Sequence, residues 1–303
     1  RDDRGLTQEE RESRYENQMR KNDEARRVPG TMLKAGWQKQ GLTHSHYVAL
    51  KIKDAVVDRL REKFGSRPNV NTEHPDLKIH AFVKDNKCTI SFDSSGRSLH
   101  ERGYRKVESE APMKENLAAA LVLMSEWDRK SPFIDPMCGS GTLAIEAAMI
   151  AANIAPGLLR TNFGFMGWAD FDAGLWKRLV KEAEDKIDQD CKTKIFAFDL
   201  SQKMTEAAEI NATRAGVEDF ISFRNTRVED LKAPTEQPGV ILVNPPYGER
   251  IGKLEEMKPF YKSVGDIFKQ RMKGWSAYVF TGNLEAAKFV GLRTSRKVPL
   301  FNG

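Results

Sequence analysis

From about residue 111 onward, short apolar runs alternate with stretches that carry apolar residues at helical spacing, and few folds accept that rhythm. Phe133-Ile134, Lys194-Ile195-Phe196-Ala197-Phe198, Phe220-Ile221-Ser222-Phe223, Val240-Ile241-Leu242-Val243 and Trp275 to Thr281 read as strands. Lys114 to Glu126, Thr142 to Ala152, Gln202 to Ala215 and Lys258 to Met272 read as helices between them. Strands that are apolar at consecutive positions are covered on both faces, as in parallel sheets with crossover helices. The expectation for residues 111–303 is an open, doubly wound α/β sheet.

Ligands of such sheets bind beyond the carboxyl ends of the strands. Three exits there carry polar residues. The first is Asp135-Pro136-Met137-Cys138-Gly139-Ser140-Gly141-Thr142. Gly139 and Gly141 permit a tight turn and close backbone approach to a ligand. The loop lacks the Gly-x-Gly-x-x-Gly spacing of dinucleotide folds and the Lys-Ser/Thr ending of a phosphate-binding loop. With an acid at its head, it suits a cationic ligand better than a pyrophosphate. The second exit is Asp199, whose carboxylate can accept two ribose hydroxyls or cap the next helix. Residues 153–189 are inserted between these exits and hold the aromatic run Phe163-Gly164-Phe165-Met166-Gly167-Trp168. This insert reads either as a lid or as an added packing layer.

The third exit is Asn244-Pro245-Pro246-Tyr247. Neither proline can donate to a ladder, so the chain must leave the sheet there. The Asn244 side-chain carbonyl and a backbone carbonyl can accept both hydrogens of a planar exocyclic amine, and Tyr247 can stack on the base that carries it.

The chain ahead of this region is different. Residues 1–40 are dominated by charge and read as a solvated arm or linker. Residues 41–110 read as a small α+β unit. A helix runs from Tyr47 to Leu60, two strands (Leu77 to Val83 and Cys88 to Phe92) meet at an Asp85-Asn86 turn, and a basic exit follows from Arg97 to Arg105. The net charge of +6 over 303 residues leans mildly toward a polyanionic partner. Cys88, Cys138 and Cys191 have no disulfide or metal-ligand spacing, and the five histidines offer no metal set. No apolar run is long enough for a membrane span and no signal sequence opens the chain, so a cytoplasmic protein is expected. Arg1 in first place and an unanswered Asn302-Gly303 turn at the end suggest a piece of a longer protein.

Several elements, in order, resemble one family: Arg102-Gly103-Tyr104-Arg105, Pro112-x-Lys114-Glu115, the loop of residues 135–142, Ile145-Glu146-Ala147-Ala148, Ala155-Pro156-Gly157-Leu158 and Asn244-Pro245-Pro246-Tyr247-Gly248-Glu249-Arg250. They look like the N-terminal methyltransferase half of bacterial large-subunit ribosomal RNA guanine-N2 methyltransferases. Residues 41–110 resemble the C-terminal half of a THUMP domain, an RNA-binding module.

The resemblance implies a Rossmann-like class I methyltransferase domain that uses S-adenosyl-L-methionine. It assigns cofactor contacts to Lys114, Glu115, Asp135, Pro136, Cys138, Gly139, Gly141, Thr142 and Asp199. Arg227 stands where the family has an acid, which leaves Asp230, the Arg227 backbone or Val228 for the adenine. Catalysis is assigned to Asn244, Pro245 and Tyr247, and RNA contact to Arg97, Arg102, Tyr104 and Arg105. The implied partner is large-subunit ribosomal RNA, and some relatives carry a second methyltransferase domain beyond this region. The alternatives are a tRNA guanine-N2 or adenine-N6 methyltransferase, and, in another class, a non-catalytic RNA-binding protein with a vestigial fold.

Overall fold

The computed structural model describes residues 31–37, 45–71, 75, 77–84, 87–106, 113–246 and 254–300. The Asp85-Asn86 turn, Pro112, Tyr247 to Arg250, the terminal Asn302-Gly303 turn and residues 1–30 lie outside them. In chain order the elements are β1 (Thr31–Trp37), α1 (Ser45–Phe64), β2 (Leu77–Lys84), β3 (Lys87–Phe92), α2 (Glu115–Met124), β4 (Phe133–Asp135), α3 (Thr142–Ala151) and α4 (Ala173–Glu184). Then come β5 (Ile195–Asp199), α5 (Gln202–Ala215), β6 (Ile221–Asn225), β7 (Val240–Val243), α6 (Leu254–Arg271), β8 (Ser276–Val279) and α7 (Leu284–Ala287). The chain divides into two units, Arg1–Leu99 with Arg160–Leu179, and His100–Leu159 with Val180–Gly303.

The first unit holds a three-stranded sheet in the order β1-β2-β3. β1 runs parallel to β2, with Leu33 opposite Ile79, and β2 runs antiparallel to β3, with Ala81 opposite Ile90. The strand at 31–37 corrects the expectation of a featureless arm through residue 40. Thr31-Met32-Leu33 forms a ladder with β2, a long-range pairing that a count of the surrounding charges cannot register.

Part of the insert belongs to this unit and packs within it. The Phe165 N–H donates to the Ser94 carbonyl at 3.0 Å. The Arg160 guanidinium donates to the carbonyls of Ser95, Arg97 and Ser98 and lies over the Phe163 ring, 4.9 Å from its centre. Phe163 and Phe165 each sit about 5 Å from Trp176, and Trp168 meets Phe92 edge-on at 6.4 Å. Of the two readings of the insert, residues 160–179 are a packing layer. The division between units falls at residue 99/100, ahead of the expected 110/111.

The second unit is built on a five-stranded sheet, all parallel, in the order β6-β5-β4-β7-β8. The order reverses between β4 and β7. Chain direction therefore splits there, opening a crevice beyond the carboxyl ends of these two central strands. Side chains alternate between two cores. Phe133, Ile195, Ala197, Val240 and Leu242 face Ala144, Ala147 and Ala148 of α3 and Ala208 and Ala212 of α5. Ile134, Phe196, Phe198, Ile241 and Val243 face Tyr261, Val264 and Phe268 of α6. Burial on both faces is why these strands read as unbroken apolar runs.

Candidate functional site

Three of the predicted polar exits come together because all five strands point the same way. Asp135 ends β4, Asp199 ends β5 and Asn244 follows β7, with β4 between the other two. Adjacent strands lie about 4.8 Å apart, so the three side chains leave the sheet within about 10 Å of one another.

The glycine loop is folded tightly onto its neighbours. The Cys138 N–H donates to the Phe198 carbonyl at 2.8 Å, and the Gly141 N–H closes the turn on the Cys138 carbonyl at 2.8 Å. Gly141 has φ +87°, and a Cβ there would stand 2.9 Å from the Cβ of Ala208. Gly139 has φ +52°, but a Cβ on it would meet nothing within 4 Å. One glycine thus lets α5 approach, and the other faces open space at the strand ends.

The two carboxylates differ sharply. Asp199 accepts the Gly139 N–H at 2.9 Å on one oxygen and the Ser201 N–H at 2.8 Å on the other. It takes the N–H of the residue before α5, so it braces the loop as well as the helix start. A carboxylate has about four acceptor positions, and two are used here. Asp135 is 1% exposed and has only a long, 3.3 Å contact from the Met137 N–H to Oδ1. Its Oδ2 is buried without a partner. Burial, aided by the nearby Asp199 charge, pushes its carboxyl up to about 8. A buried, half-satisfied acid beside a loop with an open face is what a cationic ligand would complete. The donor set fits an amino-acid nucleoside that carries an ammonium or sulfonium and a ribose.

Pro136 and Cys138 are buried in the turn, and burial pushes the Cys138 thiol up, so it stays protonated. Thr142 starts α3 and is buried. The Lys114 carbonyl accepts from Leu117 and Ala118 at the start of α2. Glu115 is 4% exposed and turned inward onto Arg105, at 3.4 Å. Asp230 is exposed at the end of a single helical turn, Val228–Asp230, after β6. Pro245 is buried, and the Pro246 carbonyl accepts from the Tyr261 hydroxyl at 3.3 Å. Tyr261 also meets the Thr281 hydroxyl at 2.7 Å, so α6 fixes the exit after β7. Tyr247 lies outside the described residues.

The residues expected to contact RNA divide. Arg97 is exposed and lines a polar cleft in the first unit with His80, Asp93 and Lys78, whose ammonium donates to the Gly96 carbonyl and pairs with Asp93 at 3.5 Å. Tyr104 is 1% exposed and donates its hydroxyl to Glu146 at 3.1 Å. The Arg102 guanidinium lies 3.5 Å from the same carboxylate. Arg105 donates to the Met113 carbonyl at 2.6 Å and to Thr142 Oγ1 at 3.1 Å. These three side chains are spent inside the second unit, and the expectation that they touch RNA is corrected on that ground. Burial pushes the Glu146 carboxyl up to about 7 against the pull of Arg102.

The sequence reading passed over Asn211. It is fully buried, accepts from the Lys106 N–H at 2.9 Å and donates to the Ser140 carbonyl at 3.0 Å. An amide on the alanine face of α5 was the available signal. Among the described residues no group of three or more His, Cys, Asp or Glu is placed to hold a metal, and no helix is long and apolar enough to cross a membrane.

Comparisons with known proteins agree with this geometry. Residues 102–303 match the family described as RMKL-like, methyltransferase domain, and residues 39–93 match the THUMP domain. The ribosomal RNA large subunit methyltransferase K/L of Syntrophotalea carbinolica is 42% identical over 86% of this chain, which spans 38% of that relative's length. An RNA methyltransferase of Synechocystis, slr0064, is 41% identical over 86% of this chain and 68% of its own. Among solved structures, SMU.472, described as a methyltransferase complexed with S-adenosylhomocysteine, superposes with a TM-score of 0.82. It is 35% identical, over 91% of this chain and 73% of that one.

Proposed function

This chain belongs to the RMKL-like methyltransferase family and carries a THUMP domain ahead of the catalytic unit, and from that premise we propose that it methylates the N2 amine of a guanine in large-subunit ribosomal RNA. S-adenosyl-L-methionine supplies the electrophilic methyl group when bound. Asp135, with its partnerless Oδ2, would hold the cationic amino-acid end, and Asp199 the ribose hydroxyls. Asp230, just beyond β6, is a candidate for the adenine amine. Lys114, at the N-cap of α2, and Glu115 after it are further candidates for cofactor contact.

The observation that supports this reading most directly is that Asn244-Pro245 follows β7, the strand paired with β4, at whose end Asp135 stands. The N2 lone pair of guanine is delocalised into the ring, so the amine is a weak nucleophile. The Asn244 side-chain carbonyl and the Pro245 backbone carbonyl would accept its two hydrogens and favour a pyramidal nitrogen. Both groups sit on a rigid strand end, so the main catalytic contribution is alignment, for which effective molarities reach on the order of 10⁵ M. Tyr247 would stack on the base, worth about 1–3 kcal/mol. The base must leave its helix or be presented unpaired. No strong general base is required, because the methylated ammonium loses its proton readily to water. The exposed Arg97, with Lys78 and His80, would meet RNA phosphates. A cytoplasmic location is part of this proposal.

The test is incubation with undermodified ribosomal RNA and labelled cofactor, followed by mass spectrometry of the nucleosides. Label in N2-methylguanosine is expected, and its loss in Asn244→Ala by at least about a hundred-fold. Label in N6-methyladenosine, or an active Asn244→Ala protein, would overturn the assignment.

A further inference from the structure

The strap of residues 102–106 and α5 hold the glycine loop from below through contacts that make no use of its open face. Three groups of the loop point into the protein. The Cys138 carbonyl is taken by Gly141, the Ser140 carbonyl by Asn211 Nδ2 and the Thr142 hydroxyl by Arg105. Asn211 reaches across to the strap with its other end, accepting the Lys106 N–H. The strap is pinned again where Arg214, one turn further along α5, donates to the Tyr104 carbonyl at 3.0 Å.

Packing does not explain the amide. Ala207, Ala208, Ala212 and Ala215 surround Asn211 on the buried face of α5, and an apolar residue would sit there at less cost. A buried amide is tolerated only when both its halves are paired, and here they are paired to two separate segments.

We propose that Asn211 and Arg105 are positioning residues that set the shape of the glycine loop and, through it, the affinity for the nucleoside cofactor. This rests on the function proposed above. In Asn211→Leu the side chain keeps its approximate size but offers neither an acceptor to the Lys106 N–H nor a donor to the Ser140 carbonyl. Arg105→Lys keeps a positive charge beside Glu115 but lacks the guanidinium fork that reaches Thr142.

Titration calorimetry with S-adenosylhomocysteine on the full chain tests this, paired with steady-state kinetics. For folded Asn211→Leu the dissociation constant is expected to rise about ten-fold or more. The KM for S-adenosylmethionine should rise in parallel, while kcat at saturating cofactor and KM for RNA stay within about two-fold. Arg105→Lys carries the same expectation, and it decides the matter if Asn211→Leu does not fold. Affinity within about two-fold of wild type, or a loss confined to kcat, would overturn the proposal. A wild-type protein that binds no S-adenosylhomocysteine would remove the functional reading along with it.

Discussion

At the scale of single residues, Asp135 shows how position alters chemistry. It ends a strand with both sheet faces covered, so its carboxyl is dry, and its value of about 8 follows from burial first and Asp199 second. The folded protein therefore holds a proton there that the unfolded chain gives up near pH 4. Stability from this group is full below that point and falls as pH rises toward 8, at up to about 1.4 kcal/mol per pH unit. Asp135→Asn should flatten this decline between pH 5 and 8, read as urea unfolding free energy against pH. Parallel slopes for the two proteins would count against the burial argument. Glu146 contributes in the same direction toward its value of about 7 and is common to both proteins. The places of Asp135, Asp199 and Asn244 at strand ends, and of Gly139 in a turn, were legible in the sequence. Arg102, Tyr104 and Arg105 were misread because a basic run looks the same whether it faces solvent or a buried carboxylate.

At the scale of elements, strands and helices of the second unit lie within a few residues of where apolar periodicity put them, and α5 spans Gln202–Ala215 as expected. The loop between β4 and α3 turns tightly against α5. Gly141→Ala would force an L-residue to φ +87° and press a methyl onto Ala208. We expect destabilisation of about 2–4 kcal/mol from backbone strain and overpacking together, measured by denaturant unfolding. A loss below about 0.5 kcal/mol would mean that the loop relaxes freely. β1 was missed for a different reason. Its pairing with β2 spans more than forty residues, and strands formed by distant pairing leave little local signal.

At the scale of the molecule, the insert between β4 and β5 carries the main surprise, because residues 160–179 belong with the first unit. A protein begun at residue 100 would keep Phe163, Phe165, Trp168 and Trp176 but lose the segment that Phe165 and Arg160 bond to. It should expose on the order of several hundred Å² of apolar surface, bind a hydrophobic dye and self-associate in light scattering. Replacing residues 160–179 with a short Gly-Ser linker should restore a monodisperse species. A dye-silent, monodisperse protein from residue 100 would show that the layer holds without its support. By itself the sequence determined the doubly wound sheet, the tight glycine loop after β4 and the exit of the chain from the sheet at Asn244-Pro245. Those follow from local periodicity, backbone constraints and side-chain chemistry. Only the tertiary structure decided which charges are buried, which unit the insert serves and that Asn211 ties the strap to the loop. Those depend on contacts between residues tens of positions apart, where sequence spacing carries no distance.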